Sequence, residues 1–203
     1  MSTVDPVETV EGFSHTTWKN ERVEVPFTLR ELGEIPKGFV PVYVGVDPES
    51  LSFVGENGLK AEDNRREQDP AEAYIKEVGN RMGITIDRTK CVFAYPEKPN
   101  NVAYQSSGVL LEVWVDPNSN ILVADTDDIG EVLSELHSSH PIRSREFLAE
   151  DIEDYWRNTK PFKDYLHEKH NNGTGSVDSF TAPPELLIPY DIPTSRIRVL
   201  PQK

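Results

Sequence analysis

The chain has 203 residues, of which 35 are Asp or Glu and 21 are Lys or Arg, giving a net charge of -14. That length suits one domain with a well-buried core, and the charge repels phosphate backbones, which excludes sequence-independent nucleic-acid binding. Cys91 is the only cysteine, which excludes a disulfide framework and a thiolate zinc site. No apolar run reaches the roughly 18 residues a membrane span needs, and no charged start leads into an apolar run. No membrane partner is therefore expected, and a reducing, cytoplasmic setting is.

Residues 1–37 are polar and weakly patterned, with Pro6, Pro26 and Pro36 as breakers, and are read as an N-terminal arm with few core contacts. Residues 38–203 form the domain. Its first strand runs over 39–46; Asp47 and Pro48 then open a short helix that Gly58 ends. Asp69, Pro70, Ala71 and Glu72 start a second helix, with Glu72 able to reach back to the Asp69 amide as in a capping box. Strands follow over 90–95, 109–115 and 121–124, the last two joined through the turn-rich residues 116–120 as a hairpin. Helical spacing returns over 129–136 and 145–170, with Phe147, Leu148, Ile152, Tyr155 and Trp156 on one core stripe. A loop over 171–182, rich in Asn, Gly, Ser and Thr, leads to Glu185 and the apolar strand after it, and residues 196–199 make a closing strand.

Glu185 is the carboxylate at the mouth of a short strand after that loop, a position suited to binding or catalysis, or to plain solvation as a strand-edge charge. Other constellations carry less. His137 and His140, like His167 and His170, are three apart at helix ends, where an imidazolium complements the helix dipole, and the spacing alone makes no metal site. Ser106 and Ser107 precede the long strand as turn or cap residues. Cys91 reads as a buried small hydrophobe, and Gly173, Thr174 and Gly175 lack the strand that a phosphate-binding loop follows.

The ordered strand motifs resemble those of the ADP-ribosyltransferase-like superfamily, in particular its bacterial and phage members and the related RNA 2′-phosphotransferases. The residues that carry the resemblance are Val42 to Val46 as the first strand, Asn57, Gly58 and Leu59 closing the helix, Arg88 through Tyr95, the Leu-Glu-Val strand with the apolar strand ending at Asp125, and Glu185 running through Ile192 and Pro193 to Val199. The resemblance covers residues 40–200. It implies an α+β fold with a split, mainly antiparallel β core and peripheral helices. It also implies NAD-dependent transfer of ADP-ribose to a protein or nucleic-acid acceptor, with NAD as the substrate. Glu185 would stabilise the oxocarbenium-like charge and Tyr95 would stack on the nicotinamide, while Tyr43, Val44 and Gly45 would line the dinucleotide. Val44 falls where the family has the His or Arg that fixes the ribose, and a valine side chain neither donates nor accepts. That duty passes to another residue such as Arg88 or Arg65, or the chain keeps the fold without the chemistry.

A reading of a different class rests on charge. With Glu150, Asp151, Glu153 and Asp154 in acidic runs, the chain is suited to an antitoxin, immunity protein or inhibitor that presents carboxylates to a basic partner without catalysis. Glu185, Tyr95 and the backbone of 43–45 lining one concave pocket would favour the transferase, and a continuous acidic surface would favour the binder.

Overall fold

The computed structural model describes residues 14–16 and 22–24 by their backbone, residue 29, and residues 36–62, 64–99, 108–171 and 184–200, the side chains of 64, 65 and 128 apart. Strands β1 (Ser14–Thr16) and β2 (Arg22–Glu24) pair antiparallel. Strand β3 (Val40–Val46) leads through a 3-10 turn at Pro48–Ser50 into α1 (Leu51–Asn57), followed by α2 (Asn64–Glu67) and α3 (Pro70–Arg81). After a 3-10 turn at Arg88–Lys90 come β4 (Val92–Ala94), β5 (Val109–Val115) and β6 (Leu122–Ala124). Helices α4 (Thr126–His137) and α5 (Arg145–Asn158), the short β7 (Lys160–Pro161) and α6 (Phe162–Asn171) precede β8 (Glu185–Ile188) and β9 (Ile197–Val199).

The class is α+β, and among the described residues every strand pair is antiparallel. Beyond the β1–β2 pair the described residues form two sheets, ordered β3-β5-β9 and β4-β8-β6-β7. They are joined where the Tyr43 and Tyr95 backbones exchange hydrogen bonds of 2.9 and 2.8 Å. The hairpin expected of the strands at 109–115 and 121–124 does not form. Instead β5 is central to the first sheet, between β3 and β9, and β6 lies between β8 and β7 in the second. Every outward and inward residue of β5 except Leu110 and Trp114 is buried, so it needs partners on both edges and cover on both faces, which one hairpin neighbour cannot supply.

Strand alternation sorts the side chains into two cores. Val42, Val44, Leu111, Val113, Ile197 and Val199 of the first sheet meet Val92, Ala94, Val123, Leu186 and Ile188 of the second, with Leu51 and Val54 of α1 and Phe162 and Tyr165 of α6 closing this core. Leu29, within the stretch read as an arm, is fully buried in it. The other face of the second sheet carries Leu187 and Ala124 against Ile75 and Val78 of α3, Ile129 and Val132 of α4, and Leu148, Ile152, Tyr155 and Trp156 of α5. Phe147 departs from the core stripe read for α5. It is 61% exposed, because the helix turns roughly 100° per residue and Leu148 takes the inward position.

Helix starts follow local chemistry. Asp69 caps α3 by accepting from the Ala71 amide at 2.9 Å, with Pro70 as the first helical residue. Glu72 does not complete a capping box. The Asp69 amide donates to the Arg66 carbonyl at 3.0 Å, and the Glu72 carboxylate turns inward to Arg88. Gly58 ends α1 at φ +73°, where a Cβ would lie 2.1 Å from the Ile192 carbonyl oxygen.

Candidate functional site

Residues 185–188 are buried at every position, so β8 has no solvent face and its polar first residue must be matched from inside. Leu186 and Ile188 point to the first core, which sends Leu187 and Glu185 to the helix layer. Arg88, in the turn before β4, meets Glu185 there. Its Nη1 donates to Glu185 Oε1 at 2.6 Å and its Nε to Glu72 Oε2 at 3.3 Å. The Tyr155 hydroxyl of α5 accepts a short hydrogen bond from Arg88 Nη1 and donates to Glu185 Oε1 at 3.1 Å. The guanidinium lies 4.9 Å from the centre of the Phe93 ring and 5.1 Å from that of Tyr155, a cation between two aromatic rings. Arg66 stacks on the same Phe93 ring at 4.0 Å and donates to the Cys91 carbonyl at 3.3 Å.

The electrostatics of this cluster are those of a buried ion-pair network, one guanidinium shared by two carboxylates. Burial works against the Arg88 charge, but Tyr155, Glu185 and Glu72 outweigh it and hold the guanidinium above its ordinary value. Burial raises Tyr155 well above the usual phenol range, so it stays a hydrogen-bond donor to Glu185. Burial likewise pushes the Cys91 thiol up to about 12, which leaves it inert as a nucleophile. Glu185 is 8% exposed. Its carboxylate is already engaged by a guanidinium and a phenol, so this arrangement locks a turn, a strand and two helices together.

Of the residues singled out in the sequence, the fold brings Glu185 to Arg88, and Tyr43 to Tyr95. Continued one position, the β4–β8 register sets Tyr95 opposite Glu185. Val44 is buried in the first core, on the opposite face of β3 from Tyr43. Tyr43 shares a cross-strand row with Glu112 and Arg198; Arg198 reaches Glu112 Oε1 at 2.8 Å. Burial and then Glu112 raise the Tyr43 hydroxyl pKa. Gly45 pairs with Leu110 at the far end of that ladder. Among the described residues, a cavity of about 590 Å³ is lined by Lys60, Ala61, Glu62, Lys90, Pro189, Tyr190 and Asp191. Another, of about 390 Å³, is lined by Asp127, Glu131, Arg143, Asp151 and Asp154. Neither includes Glu185, Tyr95, Arg88, Tyr43, Val44 or Gly45.

Glu72, read as a helix-capping residue, Tyr155, read as a core residue, and Phe93 complete the Arg88 cluster. Tyr155 carried a signal, since a tyrosine on a core stripe needs a partner for its hydroxyl; Glu72 carried none, as its capping-box spacing pointed elsewhere. His137 lies 3.0 Å from Asp69, and His140 lies 2.9 Å from the Ser139 hydroxyl. Among the described residues no three of His, Cys, Asp and Glu come together as a metal site. Ser106, Ser107, residues 173–175 and the Arg65 side chain lie outside the described residues. Comparison with protein-family models, with curated proteins and with solved structures finds no match.

Proposed function

We propose that this chain is an acidic binding protein, an inhibitor, immunity protein or antitoxin in kind, that presents carboxylates to a basic partner without catalysing a reaction on it. The observation that carries this reading is the state of Glu185. A carboxylate that stabilises an oxocarbenium-like charge must face the reacting bond, whereas Glu185 faces a helix layer, 8% exposed and 2.6 Å from the Arg88 guanidinium. The net charge of -14 supplies the long-range attraction for a basic surface.

A second reading, NAD-dependent transfer of ADP-ribose to a protein or nucleic-acid acceptor on an ADP-ribosyltransferase-like fold, is supported by two antiparallel sheets abutting at Tyr43 and Tyr95 in the motif order of that superfamily. Titration with the oxidised dinucleotide, followed by mass analysis of the products, separates the two. The binding reading expects neither saturable dinucleotide binding nor released nicotinamide, together with salt-sensitive binding of basic peptides. Dinucleotide cleavage that disappears in Glu185→Gln would overturn it.

A further inference from the structure

Two large apolar side chains stand in water where the chain enters α5. Ile142, in the link from α4, is 91% exposed, and Phe147, in the first turn of α5, is 61% exposed. Phe147 precedes Asp151 by one helical turn and Asp154 by two, so the three share one face of α5, away from the stripe of Leu148, Ile152, Tyr155 and Trp156 that packs inward. Asp151 and Asp154, with Asp127 and Glu131 of α4, line the cavity of about 390 Å³ into which Arg143 reaches from the same link. Arg143 Nη1 is 2.6 Å from Asp151 Oδ2 and 3.9 Å from Glu131 Oε2. Asp154 is matched by Arg157, whose Nη1 lies 2.6 Å from its Oδ1. These four carboxylates thus face two guanidiniums, and two negative charges are left in excess, those of Asp127 and Glu131, beside two uncovered apolar groups.

We propose that Ile142 and Phe147, with the carboxylates of α4 and α5 beside them, form the docking surface for a basic amphipathic segment of a protein partner. This rests on the acidic-binding reading and names the surface it uses. Charge complementarity selects the occupant. An apolar side chain of the partner covers Ile142 and Phe147, where water exclusion makes anchor residues count most. A lysine or arginine of the partner meets Asp127 and Glu131, the carboxylates of the cavity that Arg143 and Arg157 leave in excess. A nucleic acid or an anionic lipid surface carries the wrong sign for this face.

Fluorescence anisotropy with two labelled peptides tests it: one built of Lys, Arg and Leu in helical register, the other poly-lysine of equal charge. The wild-type chain is expected to bind the amphipathic peptide more tightly. Ile142→Ser combined with Phe147→Ser should weaken that peptide about tenfold or more, the loss of a typical anchor, and leave poly-lysine binding unchanged. Asp127→Asn combined with Glu131→Gln should weaken both peptides. All four positions are on the surface, so the variants are expected to keep the wild-type melting transition. If the serine pair binds the amphipathic peptide as wild type does, the docking surface is wrong while the acidic-binding reading stands. If wild type binds neither peptide, both fall together.

Discussion

Without the Arg88 guanidinium, Glu72 and Glu185 are two buried carboxylates stripped of their common counter-charge. Breaking a buried pair in this way costs about 3–5 kcal/mol, and Arg88→Met is expected to lose stability on that scale. Glu185→Gln is milder. The amide oxygen still accepts from Arg88 and Tyr155, and Glu72 still offsets the guanidinium, so the loss is about 1.5–3 kcal/mol, the range for hydrogen bonds to charged groups. Urea unfolding of the two variants reads both costs. A Glu185→Gln chain as stable as wild type would show that the carboxylate is not held by its buried partners and would return it to the list of catalytic candidates.

At the scale of elements, the connection after α1 bears the tightest constraint. Gly58 adopts φ +73° against the Ile192 carbonyl, and the next residue, Leu59, exchanges backbone hydrogen bonds of 2.9 and 2.8 Å with Ile192. An alanine there takes on a strained conformation and drives its methyl into a backbone atom that two hydrogen-bonded residues hold in place. Gly58→Ala is therefore expected to cost about 2–4 kcal/mol, with thermal melting as the measurement. An unchanged midpoint would mean that the 184–200 segment shifts away from α1 at little cost. The same segment sets the fate of β8 and β9: β8 closes the second sheet between β4 and β6, and β9 closes the first against β5.

For the whole molecule, stability is bounded at both ends of the pH scale. Burial of Asp69 and Asp87 is outweighed by hydrogen bonds from His137 and Ala71 and from Lys76 and Thr89, and Asp191 is held down by Lys60 and the Ala61 amide; all three carboxyls sit below the ordinary value of 3.8. A depressed carboxyl contributes stability above its unfolded pKa and loses it as pH falls through the folded one, so the acid limb begins near pH 4 and steepens below it. Cys91 and Tyr165 run the other way. Burial, joined by Glu97 at Tyr165, raises each to about 12 from 9.0 and 10.0. Their contribution is complete below pH 9 and declines as pH climbs from there toward 12. Melting temperature against pH is expected to show a plateau between these limits, and Cys91→Ala should shift the start of the alkaline decline upward. An alkaline limb that Cys91→Ala leaves in place would assign it to other groups.

What the sequence settled by itself is local. The strand at Val109–Val115 and the helix opened by Asp69 and Pro70 appear where residue spacing puts them, because a β-rich apolar run and a capped start with proline depend on neighbours a few residues away. The helix stop at Gly58 belongs with them. The long-range pairings were decided only by packing. Period-2 alternation says that a strand has two faces, not which strands flank it, so β5 and β6 read as a hairpin although they belong to different sheets. Helical spacing admits Phe147 to a stripe, and only the direction in which α5 meets α3 and α4 leaves it outside. Glu185 looked available because charges are usually exposed. The tertiary structure gave it a buried partner from a turn 97 residues earlier in the chain, and a pairing across that separation leaves no periodic trace in the sequence.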